Sequence, residues 1–559
     1  MPNFTISKTF LLPSFDIPLK ERRKLDVFLQ ILEDSGVAKF INNEESNAAK
    51  AGSGGRPSYN PYRLFATIIY GFSIHSGSVR KIEESINYDL RFIYLMEQER
   101  PSYATISRFC NNVVVTAHHE IFTTIVKTII SKYDICIDDV FIDGSKFEAN
   151  ANKYKFVWKP ITFHKKLNEN IKTFITKHFP GEVPSSRKFT AKDLAIYLNR
   201  FLEKVNSLNL DPFTTARGTG HRYPEIIKDF FLLEKYLLKL LEYEEKTEIC
   251  GPDRNSYYKT DKDATAMTLK SDYYSGLGSN THAAYNTQIA VSKGIILDYF
   301  ISQDRTDYYT FIPFLKAFYK HYGFFPKRVC ADAGYGINNN YQFLNDNNIE
   351  NFVKFADWQQ ETEGRKIFLF TIYQDHSLTC LNDKTTTPIA SLGNRNVRRK
   401  QNVFYKIENC LYCRHKKICS HTLKHPIKNQ RIFETNPSLF LFKNEARTNL
   451  LSPKGIEMRI NRSSQVEGAY GVIKQDLQFT RFRRRSIENV SAEFMLVCLG
   501  YVIRKLFSLI DGTAKLDYWI APTDLQPQVM PPMNFKKATK KRVQGENEKL
   551  FRKHKKRGR

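Results

Sequence analysis

Acidic residues are scarce in this chain relative to basic ones. Its 559 residues include 58 Asp and Glu but 85 Lys and Arg, which gives a formal net charge of +27 at pH 7. Residues 536–559 contain twelve Lys and Arg and only two Glu, yet the residues before them are also basic. A basic tail alone is often only solvated, whereas a basic body and tail together indicate a polyanionic partner such as nucleic acid.

Long apolar runs and paired cysteines are scarce as well. Residues 1–20 lack a basic start followed by an apolar run, and we find no stretch that approaches the length of a membrane span. The nine cysteines are unevenly spread, with three of them between residues 410 and 419. That distribution favours a reducing compartment over a disulfide framework, so we expect a soluble intracellular protein.

Residues 1–130 are predicted to be helical. Asn60 and Pro61 have the residue types of a helix N-cap and first turn, and further helices are expected after Ser76 or Ser78 and after Ser102. An apolar helix follows in HEIFTTIVKTIISKY. Short helices with basic residues at their starts are typical of helix-turn-helix DNA binding, with Arg80 and Arg108 as candidate contacts. A plain helical bundle whose basic side chains face water is the alternative.

The middle of the chain alternates between strand and helix patterns. A short strand in VFIDG is expected to end at Asp143, and residues 155–255 interrupt the pattern as a charged, helical insertion. Two β-rich runs separated by Lys293–Gly294 predict a hairpin. A helix, the strand PKRVCADAG and the strand IENFVKFA follow. This order is that of a ribonuclease-H-like α/β fold, in which Asp143 and Asp332 would end neighbouring strands of a central sheet.

Three carboxylates are the candidate catalytic metal ligands. Asp143 lies in FIDGSKFEANAN, Asp332 in ADAGYG and Glu467 in QVEGAYGVIKQD. Carboxylates are the hard oxygen donors that Mg²⁺ takes together with water and substrate phosphate. A pair of such ions can activate the attacking oxygen and stabilise the leaving oxygen of a phosphodiester. For an Asp at a strand end taken alone, a turn or cap role is the more common one.

Helix geometry selects the third carboxylate. Lys474 comes seven residues after Glu467, within about 20° of the same face at 3.6 residues per turn. Asp476 lies on the opposite side, and Glu457 is expected to precede the helix start, so neither is chosen. Lys474 is then predicted to meet a DNA phosphate beside the metal ligands.

Several motifs in order resemble those of a known family. They are GRPSYNP with YGFSIHSGSVRKIEE, PSYATISRF, IDGSKFEANANKY, KTDKDATAMTLK with AYNTQIAV, ADAGYG and QVEGAYGVIKQD, across roughly residues 50–505. The chain resembles the DDE transposases of bacterial insertion sequences that have a helical N-terminal transposase domain. In related transposases an Arg often precedes the Glu with three residues between them, whereas four separate Arg462 from Glu467 here.

The resemblance implies a function as well as a fold. Asp143, Asp332 and Glu467 match the metal-binding triad for Mg²⁺ or Mn²⁺, Lys474 the basic residue on the same helix, and Arg462 a DNA contact. The implied activity is binding of terminal inverted repeats, followed by metal-dependent strand cleavage and strand transfer without a covalent protein–DNA intermediate. The implied partners are transposon ends and target DNA bound by a homodimer, in the nucleoid-associated bacterial cytoplasm.

Other charged residues have weaker expectations. The basic run RFRRR is predicted to contact DNA phosphates, with a solvated face as the alternative; its arginines are Arg481, Arg483, Arg484 and Arg485. Asp304 and Asp307 fit turn positions better than supporting positions at the site. Asp261 and Asp263 belong to the resembled motif, but no role follows from the sequence.

The clustered cysteines suggest a second metal. Cys410, Cys413 and Cys419 have the CxxC-plus-one spacing of soft ligands, and Cys380 is a candidate fourth. His415 or His421 is the substitute for one of them, and ordinary reduced thiols are the alternative to structural Zn²⁺. Members of the resembled group often carry similar cysteines here.

These expectations define three regions. Residues 1–130 form an all-α DNA-binding domain, and residues 131–510 form the α/β ribonuclease-H-like catalytic core. That core contains the helical insertion at about 155–255 and a Cys-containing insertion at 357–455, while 511–559 form a basic, disordered tail. The rival functions are a ribonuclease-H-like nuclease without strand transfer, a domesticated DNA-binding protein with an inactive core, and a repressor that uses only the N-terminal helices.

Overall fold

The structure is a computed structural model with a mixed α/β fold. It describes residues 19–41, 59–75, 77–182, 188–214, 223–252, 254–269, 281–389, 401–421, 429–514, 516 and 518–532. The predicted basic run of the tail, residues 536–559, lies outside the described residues.

Seven helices precede the first strand among the described residues. The predicted caps are confirmed: the side chain of Asn60 accepts hydrogen bonds from the next turn, with Pro61 in the first helical position, and Ser78 and Ser102 cap the following helices. The helices are α1 (Leu19–Asp34), α2 (Ala38–Ile41), α3 (Pro61–Ile74), α4 (Val79–Tyr88), α5 (Leu90–Leu95), α6 (Tyr103–Phe109) and α7 (His118–Lys132).

The central sheet places β1 beside β7, as expected for the strands that carry Asp143 and precede Asp332. The order is β4-β5-β1-β7-β8, and β6 also pairs with β5. The predicted hairpin is confirmed, since Lys293 and Gly294 both have positive φ (49° and 74°), as a type I′ turn requires. The strands are β1 (Asp139–Glu148), β4 (Thr265–Thr268), β5 (Thr281–Ser292), β6 (Ile295–Ser302), β7 (Arg328–Ala331) and β8 (Glu350–Asn351).

Two strands differ from the expectation. Strand β1 does not end at Asp143 but continues to Glu148, because its antiparallel pairing with β5 extends from Phe141 to Glu148. The strand predicted in IENFVKFA is only the two-residue β8, which pairs with the start of β7. Helices α11 (Phe311–Tyr322) and α12 (Asn338–Asp346) connect the strands of this part.

The stretch predicted as a helical insertion has a hydrophobic core of its own. Leu194, Phe201, Ile227 and Leu233 are among its buried residues. A small antiparallel pair, β2 (Phe156–Trp158) with β3 (Ser256–Tyr258), brings the two ends of this segment together. Its helices are α8 (Ile161–His178), α9 (Ala191–Asn206) and α10 (Glu225–Cys250).

The Cys-containing stretch forms a third hydrophobic cluster, which includes Ile372, Leu378 and Tyr405. Short strands and three helices make up the described part of this stretch. The elements are α13 (Trp358–Thr362), β9 (Phe370–Ile372), β10 (Leu378–Cys380), β11 (Thr385–Thr386), β12 (Val403–Ile407), α14 (Lys416–His421), β13 (Arg431–Thr435) and α15 (Pro437–Leu451).

The helical stretch that carries Glu467 begins earlier than expected and is irregular. It consists of α16 (Pro453–Arg462), a π-helical turn (Ser463–Glu467), α17 (Gly468–Gly471) and a second π-helical turn (Val472–Asp476). The placement of Glu457 before the helix start was therefore wrong. Glu457 lies within α16, where its carboxylate accepts a hydrogen bond from the Ala521 N–H at 3.1 Å.

The last helix, α18 (Ile487–Ile510), is buried along most of its length. It packs on α3, α7 and β6, so the N-terminal helices and the sheet share one hydrophobic core. One continuous helical stretch, Tyr103–Lys132, is long and apolar enough to cross a membrane by length and composition alone. The statement that no stretch approaches that length was therefore wrong. The apolar side chains of α7 in this stretch belong to the shared core, which accounts for its composition.

Candidate active site

The two aspartates lie on adjacent parallel strands. Strands β1 and β7 pair in register up to Ile142 and Ala331, and Asp143 and Asp332 are the next residues on each strand. Strand β7 ends there, whereas β1 continues, so the pairing of β1 with β7 stops before Asp143. Consequently the carboxyl end of β7 opens a space beside Asp143 into which both carboxylates can reach.

The π-helical turn brings Glu467 to the same place. Arg462 immediately precedes this turn and Glu467 ends it, five residues later. A π-helical turn closes from residue i to i+5, so one extra residue is accommodated without rotating Glu467 away from Arg462. The additional residue between Arg462 and Glu467 therefore has a structural explanation that the sequence pattern alone did not supply.

Arg462 stands at the centre of the three carboxylates. Its guanidinium nitrogens lie 3.2 Å from Asp143 Oδ2, 3.8 Å from Asp332 Oδ2 and 3.6 Å from Glu467 Oε1. Its side chain is 5% exposed, so it faces the carboxylates and not the surface expected of a DNA contact. Burial alone would lower the pKa of Arg462, but the charges of Asp143, Asp332 and Glu467 outweigh burial and raise it.

The three carboxylates suit a divalent metal by donor type and access. The side chains of Asp332 and Glu467 are 52% and 58% exposed, and Asp143 is 17% exposed. Arg462 is the cation that pairs with all three of them. Among the described residues they do not form a set whose ligand atoms all lie within 4.8 Å of one another, because the guanidinium separates them. A site for two ions 3.5–4 Å apart is wider than a single-ion cluster, so this spread is compatible with the donor set.

Lys474 lies on the same face of the sheet as Asp143. Its ammonium donates a hydrogen bond to Ser145 Oγ at 2.6 Å and lies 4.7 Å from the centroid of the Phe147 ring. Side chains two residues apart on a strand share a face, so Ser145 places the lysine beside Asp143. Asp476 instead pairs with Arg504 at 3.3 Å, outside this group.

Hydrogen bonds connect the loop after β6 to two amide side chains of β5. Asp307 Oδ1 accepts hydrogen bonds from Asn286 Nδ2 at 2.8 Å and from Gln288 Nε2 at 3.0 Å. A Cβ on Gly144 would lie 2.4 Å from Gln288 Nε2, so a larger residue after Asp143 would displace this side chain. Asp307 also opens a 3₁₀ turn, as expected, but its two amide partners were not predicted.

Lys354 is a further basic group that sequence reasoning missed. It follows β8, where its N–H donates to the Ala331 carbonyl at 3.2 Å. Its ammonium then lies 4.0 Å from Asp332 Oδ1. Its position depends on the pairing of β7 with β8, which places the loops that follow both strands side by side, and no local pattern indicates this.

The arginine-rich run after the Glu467 helix borders β1. Arg481 forms a β-bridge with Glu148, and Arg483 and Arg484 donate their backbone N–H groups to the buried carboxylate of Glu493. The side chains of Arg481, Arg483 and Arg485 are exposed and that of Arg484 is partly exposed.

The structure gives Asp261 and Asp263 a role that the sequence did not. Their carboxylates accept hydrogen bonds from the backbone N–H groups of Ser486 at 3.3 Å and Ile487 at 2.9 Å. Asp261 also accepts a hydrogen bond from Tyr285 at 2.9 Å. The two aspartates therefore hold the start of α18, directly after the arginine-rich run.

The two N-terminal arginines lie on other elements. Arg80 is exposed on α4 with its guanidinium 5.2 Å from the centroid of the Tyr103 ring, and Arg108 is exposed on α6. No hydrogen bond or ion pair in the described part of the chain connects either of them to the three carboxylates.

Four cysteines line one small cavity in the third cluster. Cys380, Cys410, Cys413 and Cys419 surround it together with His415, while the side chain of His421 lies outside the described residues. Cys380 comes from β10 and the others from the turn after β12 and from α14. Burial raises the pKa of the Cys410 and Cys419 thiols, so both are protonated unless a metal binds.

Two family models match the chain. Residues 16–112 match a transposase domain (DUF772), and residues 379–507 match a transposase DDE domain. The second match includes the cysteines, Arg462, Glu467 and Lys474 but not the two aspartates. No curated protein and no solved structure matches the chain. Over these two stretches the chain is similar to DDE transposases of the insertion-sequence type.

Proposed function

We propose that this chain is a transposase, which binds the terminal inverted repeats of an insertion sequence and performs metal-dependent strand cleavage and strand transfer. The observation that carries the proposal is the convergence of Asp143, Asp332 and Glu467 on one guanidinium within 4.0 Å. These residues lie hundreds of positions apart, and the strand order β6-β5-β1-β7-β8 suits a ribonuclease-H-like core.

Each residue has a proposed role in the reaction. Asp143 is the carboxylate shared by two Mg²⁺ or Mn²⁺ ions, with Asp332 on one ion and Glu467 on the other. The bound ions supply activation of water or a terminal 3′-hydroxyl and stabilise the leaving oxygen. Lys474 contacts a DNA phosphate from the face of β1 that carries Asp143. Arg462 balances the charge of the carboxylates and holds them in place.

The decisive experiment uses a pre-cleaved transposon end and a target plasmid. Asp143→Asn, Asp332→Asn and Glu467→Gln are each expected to lower strand transfer by about 10²-fold or more, because each removes a charged ligand. Asp476→Asn is the matched control: it neutralises an acid of the same helical stretch that pairs with Arg504 and should remain active. In a parallel assay with an uncleaved transposon end, cleavage by the wild type without any joined product would favour the nuclease alternative.

A domesticated DNA-binding protein is the second alternative. It predicts that Asp143→Asn leaves the biological activity unchanged, whereas the transposase proposal predicts its loss. Electrophoretic mobility shifts of the same variant with the terminal repeat show whether DNA binding persists when joining is lost. Full retention of joining by Asp143→Asn would rule out the proposed chemistry.

The DNA path is proposed to follow the exposed arginines. Arg481, Arg483 and Arg485 border the end of β1 at Glu148, and Arg80 and Arg108 add basic groups on the N-terminal helices. Replacing one arginine that contacts a phosphate should weaken binding to all DNA sequences alike. It should also reduce the slope of log binding constant against log salt concentration by about 1. A homodimer on DNA would allow two ends to be cut in one complex.

The four cysteines are proposed to bind structural Zn²⁺. They line one cavity and come from separate elements of the third cluster, so a tetrahedral ion would fix the short strands to one another. Cys413→Ser should lower the zinc content by about one ion per chain, and Cys136→Ser is the control because that cysteine is exposed elsewhere. Equal zinc content in the two variants would contradict the proposal.

A further inference from the structure

A second group of ligating side chains lies at the β6 edge of the central sheet. Asp298 on β6 is in register with Ala290 on β5, which is in register with Ile142 on β1. Cross-strand partners share a face, and Ile142 and Asp143 are successive residues that point to opposite faces. Asp298 therefore points away from the face that carries Asp143.

Three elements meet at this point. His119 lies in the first turn of α7, Asp298 lies in β6 and His321 lies in the last turn of α11. One ligand atom from each of the three side chains lies within 4.8 Å of the others. Among the described residues this is the one group of three or more His, Cys, Asp or Glu side chains that is so tightly clustered.

The hydrogen bonds around the cluster leave a ring nitrogen of His119 without a partner. Asp298 is fully buried, and its carboxylate accepts hydrogen bonds from the Tyr299 N–H at 2.8 Å and from His321 Nδ1 at 2.8 Å. His119 Nδ1 is buried and has no hydrogen-bond partner among the described residues.

The neighbouring side chains of His118 and Lys127 already have hydrogen-bond partners of their own. His118 uses both ring nitrogens, on the Val115 carbonyl and on Ser491 Oγ, each at 3.0 Å. The ammonium of Lys127 donates a hydrogen bond to the His321 backbone carbonyl at 2.6 Å. A buried carboxylate is costly unless a cation compensates it, and neutral imidazoles are good metal ligands.

We propose that His119, Asp298 and His321 bind a transition-metal ion of the Zn²⁺ class, with water as the fourth ligand. Two imidazoles and one carboxylate form a donor set that suits Zn²⁺ and disfavours the all-oxygen coordination of Mg²⁺. The ion would fasten α7, from the N-terminal helices, to β6 and α11 of the sheet. This site is separate from the cysteines and does not depend on the proposed chemistry at Asp143.

The test counts zinc in the purified full-length protein and its variants. His119→Gln should lower the zinc content by about one ion per chain, and chelation should lower the melting temperature of the wild type more than that of the variant. His164→Gln, on a helix of the insertion, is the matched control and should keep the wild-type content. The readout is the difference between variants, so it does not depend on whether the cysteines bind zinc.

Cobalt distinguishes the two candidate sites directly. Co²⁺ bound by thiolates has an intense near-ultraviolet charge-transfer band, which His119→Gln should leave unchanged while total bound cobalt falls. Unchanged metal content in His119→Gln would overturn the proposal. If that variant fails to fold, anomalous X-ray scattering at the zinc edge from wild-type crystals decides: a peak between the three side chains supports the site, and its absence refutes it.

Discussion

At the scale of single residues, Arg462 differs most from what the sequence suggested. A sequence pattern identifies an arginine near a glutamate but not whether it faces solvent or carboxylates. The fold buries this one to 5% exposure among three acids. A buried arginine surrounded by carboxylates compensates their repulsion and cannot be removed without leaving the negative charges uncompensated. Arg462 is therefore expected to matter for stability before DNA is bound.

We predict that Arg462→Gln destabilises the protein in EDTA by about 1–3 kcal/mol, because charge-assisted hydrogen bonds are lost. Mg²⁺ should restore more of the melting temperature in the variant than in the wild type, since the carboxylates then lack their competing cation. Thermal unfolding with and without Mg²⁺ measures both effects.

The matched variant is Arg481→Gln, whose exposed side chain should affect DNA affinity more than stability. If Arg462→Gln unfolded like the wild type in EDTA and lost DNA affinity to the same extent as Arg481→Gln, Arg462 would be a surface DNA contact after all.

At the scale of elements, the irregular helix is the informative feature. Periodicity predicted one regular helix through Glu467 and Lys474, and both residues do lie beside Asp143. The two π-helical turns were not predicted, because a π turn depends on contacts made by its residues and not on their spacing. Gln465 illustrates such a contact, since its side chain accepts a hydrogen bond from Gly294 N–H in the hairpin turn at 3.0 Å.

We predict that deletion of Ser464 is tolerated. This exposed residue lies in the π-helical turn, and its removal can relax the turn to an α-helix that keeps Arg462 and Glu467 on one face. The melting temperature should fall by only a few degrees, and strand transfer should persist.

Deletion of Arg504 is the comparison for the Ser464 deletion. Arg504 lies in regular α18, where losing one residue rotates the following buried side chains by about 100°. That deletion should prevent folding. Equal loss of folding in both deletions would mean that the π-helical turn does not absorb a residue.

At the scale of the whole molecule, the N-terminal helices and the sheet share a core. The sequence predicted helices near the correct positions but could not show that α18 packs between α3 and the sheet, because apolar periodicity identifies a buried face and not its partner. Gly500 marks the closest approach: a Cβ there would lie 2.5 Å from the Phe72 carbonyl oxygen. The backbone of α3 cannot move aside for an added Cβ as the end of a flexible side chain can.

We predict that Gly500→Ala destabilises the protein by about 1–3 kcal/mol through overpacking between α18 and α3. Gly471→Ala is the control, because it is helical and its added Cβ would have no neighbour within 4 Å. That control should be neutral or stabilising by up to about 1 kcal/mol, since alanine favours the helix. Urea unfolding of both variants measures the difference, and similar stabilities would argue against the close helix crossing.

The sequence by itself determined the secondary-structure order, the hairpin, the helix caps, the identity of the three carboxylates and the candidate cysteines. These features depend on local propensity, on periodicity and on motif resemblance. Only the tertiary structure decided that Arg462 stands between Asp143 and Glu467, that Asp307 accepts hydrogen bonds from Asn286 and Gln288, and that His119 meets Asp298. Those arrangements join residues on different elements, and their distances depend on how the strands and helices pack, which no local pattern records.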